Sequence, residues 1–296
     1  MPESNRHRQL PSCRVLPLAV VIAALAAAVP AQMDTASAKP APKRVVSMNL
    51  CTDQLAMLLS AGSQLHSIYY LTQDADTAVL AEEARGYAVN HGLAEEIFLM
   101  RPDLVLAGTY SNRATIGLLR RLGFEVLELA PARSFDDIRR DLSTVGAAIG
   151  REREAKAAIQ AFDRELARIT AMERERMLTA LYSANSYTSG RGTLESEVVA
   201  AAGQVNVGDR LGRSTVRLPL EVLIMLRPEL VVSDEEPSKP AQAYEVFRHP
   251  ALRRGLRAGE FVHIPGRYLL CGAPFTLEAV ARLRSAAQLL AGQRAR

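Results

Sequence analysis

Tryptophan is absent from the 296 residues, and aromatic residues make up only 5%, so any stacking surface must come from 8 tyrosines and 7 phenylalanines. Three cysteines are too few for a disulfide-dense secreted scaffold. An excess of one charge is also missing. Lys and Arg total 36 against 32 Asp and Glu, a net charge of +4 with no dense basic block. The pI of 9.1 therefore does not signal nucleic-acid binding. Only one long apolar run occurs, residues 15–29, which excludes a polytopic membrane protein. What is present is 48% hydrophobic residues, enough to build one or two substantial cores and too much for a disordered chain.

The apolar run sets the expected compartment. Arg6, His7, Arg8 and Arg14 precede the uncharged stretch Val15 to Val29, and small residues follow it. A basic lead, a short apolar centre and a small-residue exit predict a signal peptide over residues 1–38, cleaved after residue 31 or 38. The run is short for a membrane anchor. Cys13 stands before it, not after it, so it is not the acylated cysteine of a lipoprotein signal. An exported, soluble chain with no stable membrane anchor is expected. Two cysteines remain in it, Cys51 and Cys271. They either pair in an oxidising compartment or stay apart as free thiols, and free thiols are the expectation.

Beyond the leader, short β-rich runs alternate with helical patterns. Arg44–Met48, Ser67–Tyr70, Leu104–Ala107 and Glu125–Leu129 read as strands, with helices at Asp53–Ala61, Glu95–Met100 and Ala114–Leu122 between them. Gly62 and Gly123 follow periodic segments, where glycine accepts the left-handed backbone that ends a helix. Later strands are predicted at Leu178–Tyr182, Glu229–Ser233 and Glu260–Ile264, and helices at Thr193–Ala202 and Thr276–Leu290. Steady strand–helix alternation implies an α/β fold with mostly parallel sheets. Ser134-Phe-Asp-Asp137 marks a helix start. From Arg151 to Arg176, apolar residues at spacings of three and four, Ala155 to Met172, predict one amphipathic helix roughly 35–40 Å long. The organisation expected is an N-terminal lobe over residues 39–133, a connecting helical segment over 134–177 and a C-terminal lobe over 178–296. Both lobes are Rossmann-like and one long helix joins them.

An internal echo supports two related lobes. Glu95-Glu-Ile-Phe-Leu-Met-Arg-Pro-Asp-Leu-Val-Leu106 aligns with Glu221-Val-Leu-Ile-Met-Leu-Arg-Pro-Glu-Leu-Val-Val232 at a single offset of 126. In both, a glutamate opens a short helix, Arg-Pro ends it, and an acid leads into a buried strand.

Catalytic signatures are missing. The segment Gly208 to Ser214 is one residue too short for a phosphate-binding loop and carries Arg where such a loop needs Lys. There is no Gly-x-Ser-x-Gly, His-Glu-x-x-His or Cys-x-x-Cys. His66, His91, His249 and His263 are not paired at metal-ligand spacing. No catalytic residue, resident cofactor or metal site is assigned. What remains is a ligand site built from loops at the carboxyl ends of strands. The loops offer Asn49 and Cys51, Tyr70, His91, Tyr110 and Arg113 in the first half. The second half offers Tyr187, Arg191, Arg213, Arg267, Tyr268 and Cys271. Tyrosine supplies flat apolar area with a polar tip, and arginine supplies planar recognition of anions.

Five motifs in this order carry a family resemblance: Arg44-Val-Val-Ser-Met-Asn-Leu, Arg101-Pro-Asp-Leu-Val-Leu-Ala, Leu122-Gly-Phe-Glu-Val-Leu, Ala202-Gly-Gln-Val-Asn-Val and Cys271-Gly-Ala-Pro-Phe-Thr. Together they resemble the periplasmic substrate-binding proteins of cobalamin and iron-siderophore ABC importers, across residues 43–292. The resemblance implies a periplasmic, monomeric receptor with two lobes bridged by a long helix and no enzymatic activity. The implied ligand is a ferric siderophore, haem or a corrinoid, held between the lobes. The implied partner is a permease dimer with its ATPase subunits, met by Glu95 on one lobe and Glu221 on the other. The chain departs from the cobalamin-specific branch in having no tryptophan, although Tyr110 and Tyr268 stand where such aromatics lie. It departs from the zinc and manganese branch in offering Asn49 and Cys51 instead of His and acid ligands. Haem would take His91 or a tyrosine as axial ligand. An exported enzyme or a sensor subunit reusing the same scaffold is the alternative.

Overall fold

The computed structural model describes residues 40–171, 176–212, 214–234, 245–255 and 261–296. The expected signal peptide, Cys13, Met172, Arg213 and Glu260 lie outside the described residues. The first half runs β1 (Val45–Ser47), α1 (Leu50–Leu59), β2 (Leu65–Tyr69), α2 (Ala81–Ala84), β3 (Ala88–Asn90), α3 (Ala94–Met100), β4 (Leu104–Gly108), α4 (Arg113–Arg121) and β5 (Val126–Leu129). Two helices follow, α5 (Phe135–Ala148) and α6 (Glu152–Thr170). The second half continues β6 (Leu178–Leu181), β7 (Tyr187–Ser189), α7 (Leu194–Ala201), β8 (Val205–Asn206), β9 (Thr215–Arg217) and α8 (Leu220–Leu226). It closes with β10 (Leu230–Ser233), α9 (Glu245–Arg248), α10 (Pro250–Gly255), β11 (Phe261–His263) and α11 (Thr276–Arg294).

Each half holds a parallel sheet. The first has the order β3-β2-β1-β4-β5, and the second the order β11-β10-β6-β8. The central strands β1, β4 and β10 are buried along their whole length, because helices cover both faces. Read outward from its first strand, the second sheet repeats β2-β1-β4-β5 as β8-β6-β10-β11. A small antiparallel ribbon, β7 with β9, is added to the second half.

The sequence echo has a structural cause. Helices α3 and α8 both end on an arginine in the left-handed region, Arg101 at φ 49° and Arg227 at φ 47°, with proline next. The following acid then ties the next strand to the first strand of its sheet. Asp103 N–H donates to the Arg44 carbonyl (2.8 Å) while its carboxylate accepts the Arg44 N–H (2.8 Å). In the second half Glu229 N–H donates to the Leu178 carbonyl (2.7 Å) and its carboxylate accepts the Leu178 N–H (2.9 Å).

The connector differs from expectation in length. Ser134 caps α5 by accepting the Asp137 N–H, and Asp137 accepts the Arg133 N–H in return. The helix expected to continue to Arg176 stops at Thr170, which at about 1.5 Å per residue makes α6 roughly 28 Å long. The chain must leave the helix there so that Met177 can reach the Gln204 side chain and open β6. Helices α5 and α6 pack tightly where Gly146 meets Ala155, since a methyl added at Gly146 would lie 2.4 Å from the Ala155 Cβ. One continuous core cluster runs from Val45 and Leu104 through Ile138 and Phe162 to Leu230 and Leu277. The two sheets therefore share buried surface through the connector and are not independent beads.

Free thiols were the expectation for Cys51 and Cys271, and the structure overturns it. The two form a disulfide across 220 residues, with Cα atoms 5.1 Å apart, inside the range a bridge requires. Cys51 lies in the first turn of α1, and Cys271 in the segment leading into α11. Folding brings them together because that segment packs against Leu50, Ala78 and Ala81 of the first half.

Candidate functional site

In a parallel sheet every carboxyl end lies on one edge, so the loops after β1, β2, β3, β4 and β5 gather there. Asn49, after β1, caps α1: its side-chain oxygen accepts the Cys51 and Thr52 N–H groups (3.0 and 3.4 Å). Tyr70 opens a short 3-10 turn after β2, His91 follows β3, and Tyr110 follows β4.

A recess of about 160 Å³ opens on this edge, lined by Asn49, Thr52, Thr109, Tyr110, Asp141 and Leu270 among others. The Cys51 side of the disulfide forms part of its wall, and Gly272 lines it from the second half. Gly272 has no room for a side chain: a methyl there would sit 2.3 Å from the Ala132 Cβ. Tyr110 stands 83% exposed at the rim and Leu270 is 58% exposed.

At the ends of β2 and β3 on the same edge, Tyr69, Tyr70 and His91 form a ring chain. The Tyr69 and Tyr70 centroids are 4.8 Å apart edge to face, and Tyr70 stacks on His91 at 5.1 Å. His91 is oriented by Glu96, which accepts its N–H (2.7 Å) and lies 3.0 Å from its Nδ1. A carboxylate only accepts, so Nδ1 carries a proton in this contact. Those bonds from His91 hold the Glu96 carboxyl below its ordinary pKa.

A buried polar network fixes the turn that displays Tyr70. Asp53 accepts the Tyr69 N–H (2.8 Å) and the Thr72 hydroxyl (2.5 Å) on one oxygen. Its other oxygen is buried with no partner among the described residues. Burial raises the Asp53 pKa from 3.8 to about 7, against the hydrogen bonds, which lower it. Asn90, also fully buried, donates to the Ser47 carbonyl and the Ser67 hydroxyl, tying the ends of β1, β2 and β3 together.

The residues singled out from sequence divide into groups. Asn49, Cys51 and Tyr110 meet around the recess, and Tyr70 and His91 stack on each other at the ends of β2 and β3. Cys271 is buried in the disulfide. Arg113 is exposed as the first residue of α4, Tyr187 is half exposed on β7, and Arg191 reaches the Asp209 carbonyl. None of these three lines the recess. Arg267 donates to the Ala75 carbonyl (2.8 Å), a contact between the two halves. The Tyr268 ring is faced by the guanidinium groups of Arg267 and Arg282, at 5.3 and 5.2 Å, and packs on the shared core. Glu95 and Glu221 are exposed in the first turns of α3 and α8. Asp53 and Asp141 were not among the residues singled out from sequence. Among the described residues no three His, Cys, Asp or Glu side chains gather as a metal site, and no helix is long and apolar enough to cross a membrane.

Two parallel sheets sharing one helical connector, with an open polar and aromatic recess at the strand ends, define a two-lobed binding protein. Residues 45–266 match the periplasmic binding protein family, and the chain belongs to it. Its relatives include the ABC transporter substrate-binding lipoprotein YvrC of Bacillus subtilis (strain 168), 23% identical over 209 residues. That alignment covers 67% of this chain and 65% of the relative's length. In structure the chain is similar to the periplasmic heme-binding protein RhuT from Roseiflexus sp. RS-1, with a TM-score of 0.70 and 20% identity. That match covers 84% of this chain and 99% of RhuT. It is also similar to the periplasmic vitamin B12 binding protein BtuF of Vibrio cholerae, with a TM-score of 0.65 and 17% identity over 85% of this chain and 98% of BtuF. These likenesses establish the fold, including its long bridging helix.

Proposed function

We propose that the chain is the solute-binding subunit of an ABC importer. It is exported through its N-terminal signal, works in the periplasm as a monomer, and captures a bulky metal chelate, either an iron siderophore, haem or a corrinoid. Its role is capture and delivery, with no bond made or broken. The observation that carries this reading is the exposure of Tyr70 (43%) and Tyr110 (83%) at the strand ends beside an open recess. Large aromatic side chains left in water around a concavity fit a flat or bulky guest that covers them on binding. The similar structures include heme-binding proteins and a vitamin B12 binding protein, which supports the same class of cargo.

Haem is favoured within that class by one arrangement. His91 has its Nδ1 engaged by Glu96 and stacks on Tyr70, so an imidazole and a phenol stand together at the strand ends. An oriented histidine with a carboxylate behind it is suited to hold an iron centre from one side. Glu95 and Glu221, exposed at equivalent points of α3 and α8, are the contacts for the permease dimer.

Titrating the purified protein with haemin, cyanocobalamin and a ferric hydroxamate, followed by visible absorbance, tests the reading. Saturable one-to-one binding of one of them without chemical change of the ligand is expected. Failure of all three to bind, or turnover of a bound one, refutes it.

A further inference from the structure

Helix α5 buries Phe135, Ile138, Leu142 and Val145 in the core, and among them lies a carboxylate. Asp141 is 4% exposed, yet it lines the recess. Its single partner among the described residues is Arg140, whose Nη2 is 3.3 Å from one carboxylate oxygen. That guanidinium is 56% exposed and is already engaged by Asp137. That contact uses one carboxylate oxygen and leaves the other with capacity for a further donor. The other polar groups of the recess are neutral, Asn49, Thr52, Thr109 and Tyr110, and no Lys, Arg or His lines it. A negative charge in the wall of an otherwise neutral pocket repels carboxylates and attracts N–H donors.

We propose that Asp141 is a specificity-determining residue, which receives a nitrogen-bearing arm of the ligand, an ammonium or an amide N–H, in the recess between the strand ends and the disulfide. The inference rests on the strand-end cleft being the ligand site and adds which chemistry the cargo presents there. Burial raises the Asp141 pKa against the lowering effect of Arg140, and a ligand ammonium would add a second cation beside it.

Three fragments of one shape test the recess separately from the whole cargo: n-butylammonium, n-butanol and butyrate, followed by ligand-observed NMR on the wild type, Asp141→Asn and Asp141→Leu. The expected result is butylammonium bound about tenfold more tightly than butyrate by the wild type, with the preference lost in both variants. Asp141→Leu is also expected to raise Tm, because it removes a buried charge whose one partner is largely exposed. A merely structural carboxylate would lower Tm when replaced. Equal binding of butyrate, no binding of butylammonium, a preference unchanged in Asp141→Asn, or a fall in Tm for Asp141→Leu overturns the proposal. Fragment selectivity in a wild type that binds none of the three large chelates would uphold the recess chemistry while refuting the chelate reading.

Discussion

Replacing Asp53 with asparagine should change how stability depends on pH, and the direction follows from its burial. The carboxyl is fully buried and its pKa is raised from 3.8 to about 7. Between those values the folded protein keeps a proton that the unfolded chain has released. The stabilisation this gives is fully present below pH 3.8 and is lost as pH rises through about 7. Integrating the proton difference from about pH 5 to about pH 8 gives a loss of roughly 2.5 kcal/mol from this group, with about 1.36 kcal/mol for each pH unit of full difference. Asparagine does not titrate, and its carbonyl can still accept from the Tyr69 N–H and the Thr72 hydroxyl. The assay is urea unfolding of wild type and Asp53→Asn at both pH values, followed by far-UV circular dichroism. Subtracting one protein from the other cancels the remaining titrating groups. The variant should gain roughly 2.5 kcal/mol relative to wild type on going from the lower to the higher pH. Parallel stability profiles would refute the reasoning, because Asp53 would then be as ionised in the fold as in the unfolded chain.

Cys51→Ser with Cys271→Ser should cost about 3–5 kcal/mol in urea unfolding, because the bridge closes a loop of 220 residues in the unfolded chain. A loss below about 1 kcal/mol would show that the packing of Leu50, Ala78 and Ala81 holds the segment by itself. Tyr110→Ala and Tyr70→Ala should each weaken chelate binding by about tenfold in an absorbance titration while leaving Tm unchanged, since both rings are exposed. Gly272→Ala should lower stability by about 1–3 kcal/mol, because the added methyl meets Ala132 and Ile138. Glu95→Ala combined with Glu221→Ala should keep ligand affinity and abolish uptake in cells; normal uptake would remove both from the docking role.

The alternation of strands and helices was readable because its signals are local. Val45-Val46-Ser47 and Leu104 to Gly108 are short runs without a charge and are buried throughout, and Gly123 and Gly203 take up the positive φ that ends α4 and α7. The repeat around Glu95 and Glu221 was readable for the same reason, since each copy encodes a helix, a left-handed arginine, a proline and an acid within a dozen residues. The end of the connector was less readable. Apolar spacing in Arg151 to Arg176 continues past the point where the chain turns into β6, and pairing with a distant strand sets that turn.

The disulfide and the recess belong to the tertiary structure alone. Nothing near Cys51 or Cys271 in the chain says that they meet, because their separation depends on how the segment before α11 packs on α1. Asp141 reads in sequence as one more acid on an amphipathic helix, and its burial appears only once α1, β4 and β5 enclose it. Arg267 and Tyr268 read as ligand contacts in the sequence, and only the fold shows that they also meet Ala75 and Arg282. Composition and periodicity thus determined the two-lobed α/β class of this protein, because burial imposes a residue pattern on every strand and helix. Which side chains stand free to hold a guest was decided only when elements far apart in the chain packed together.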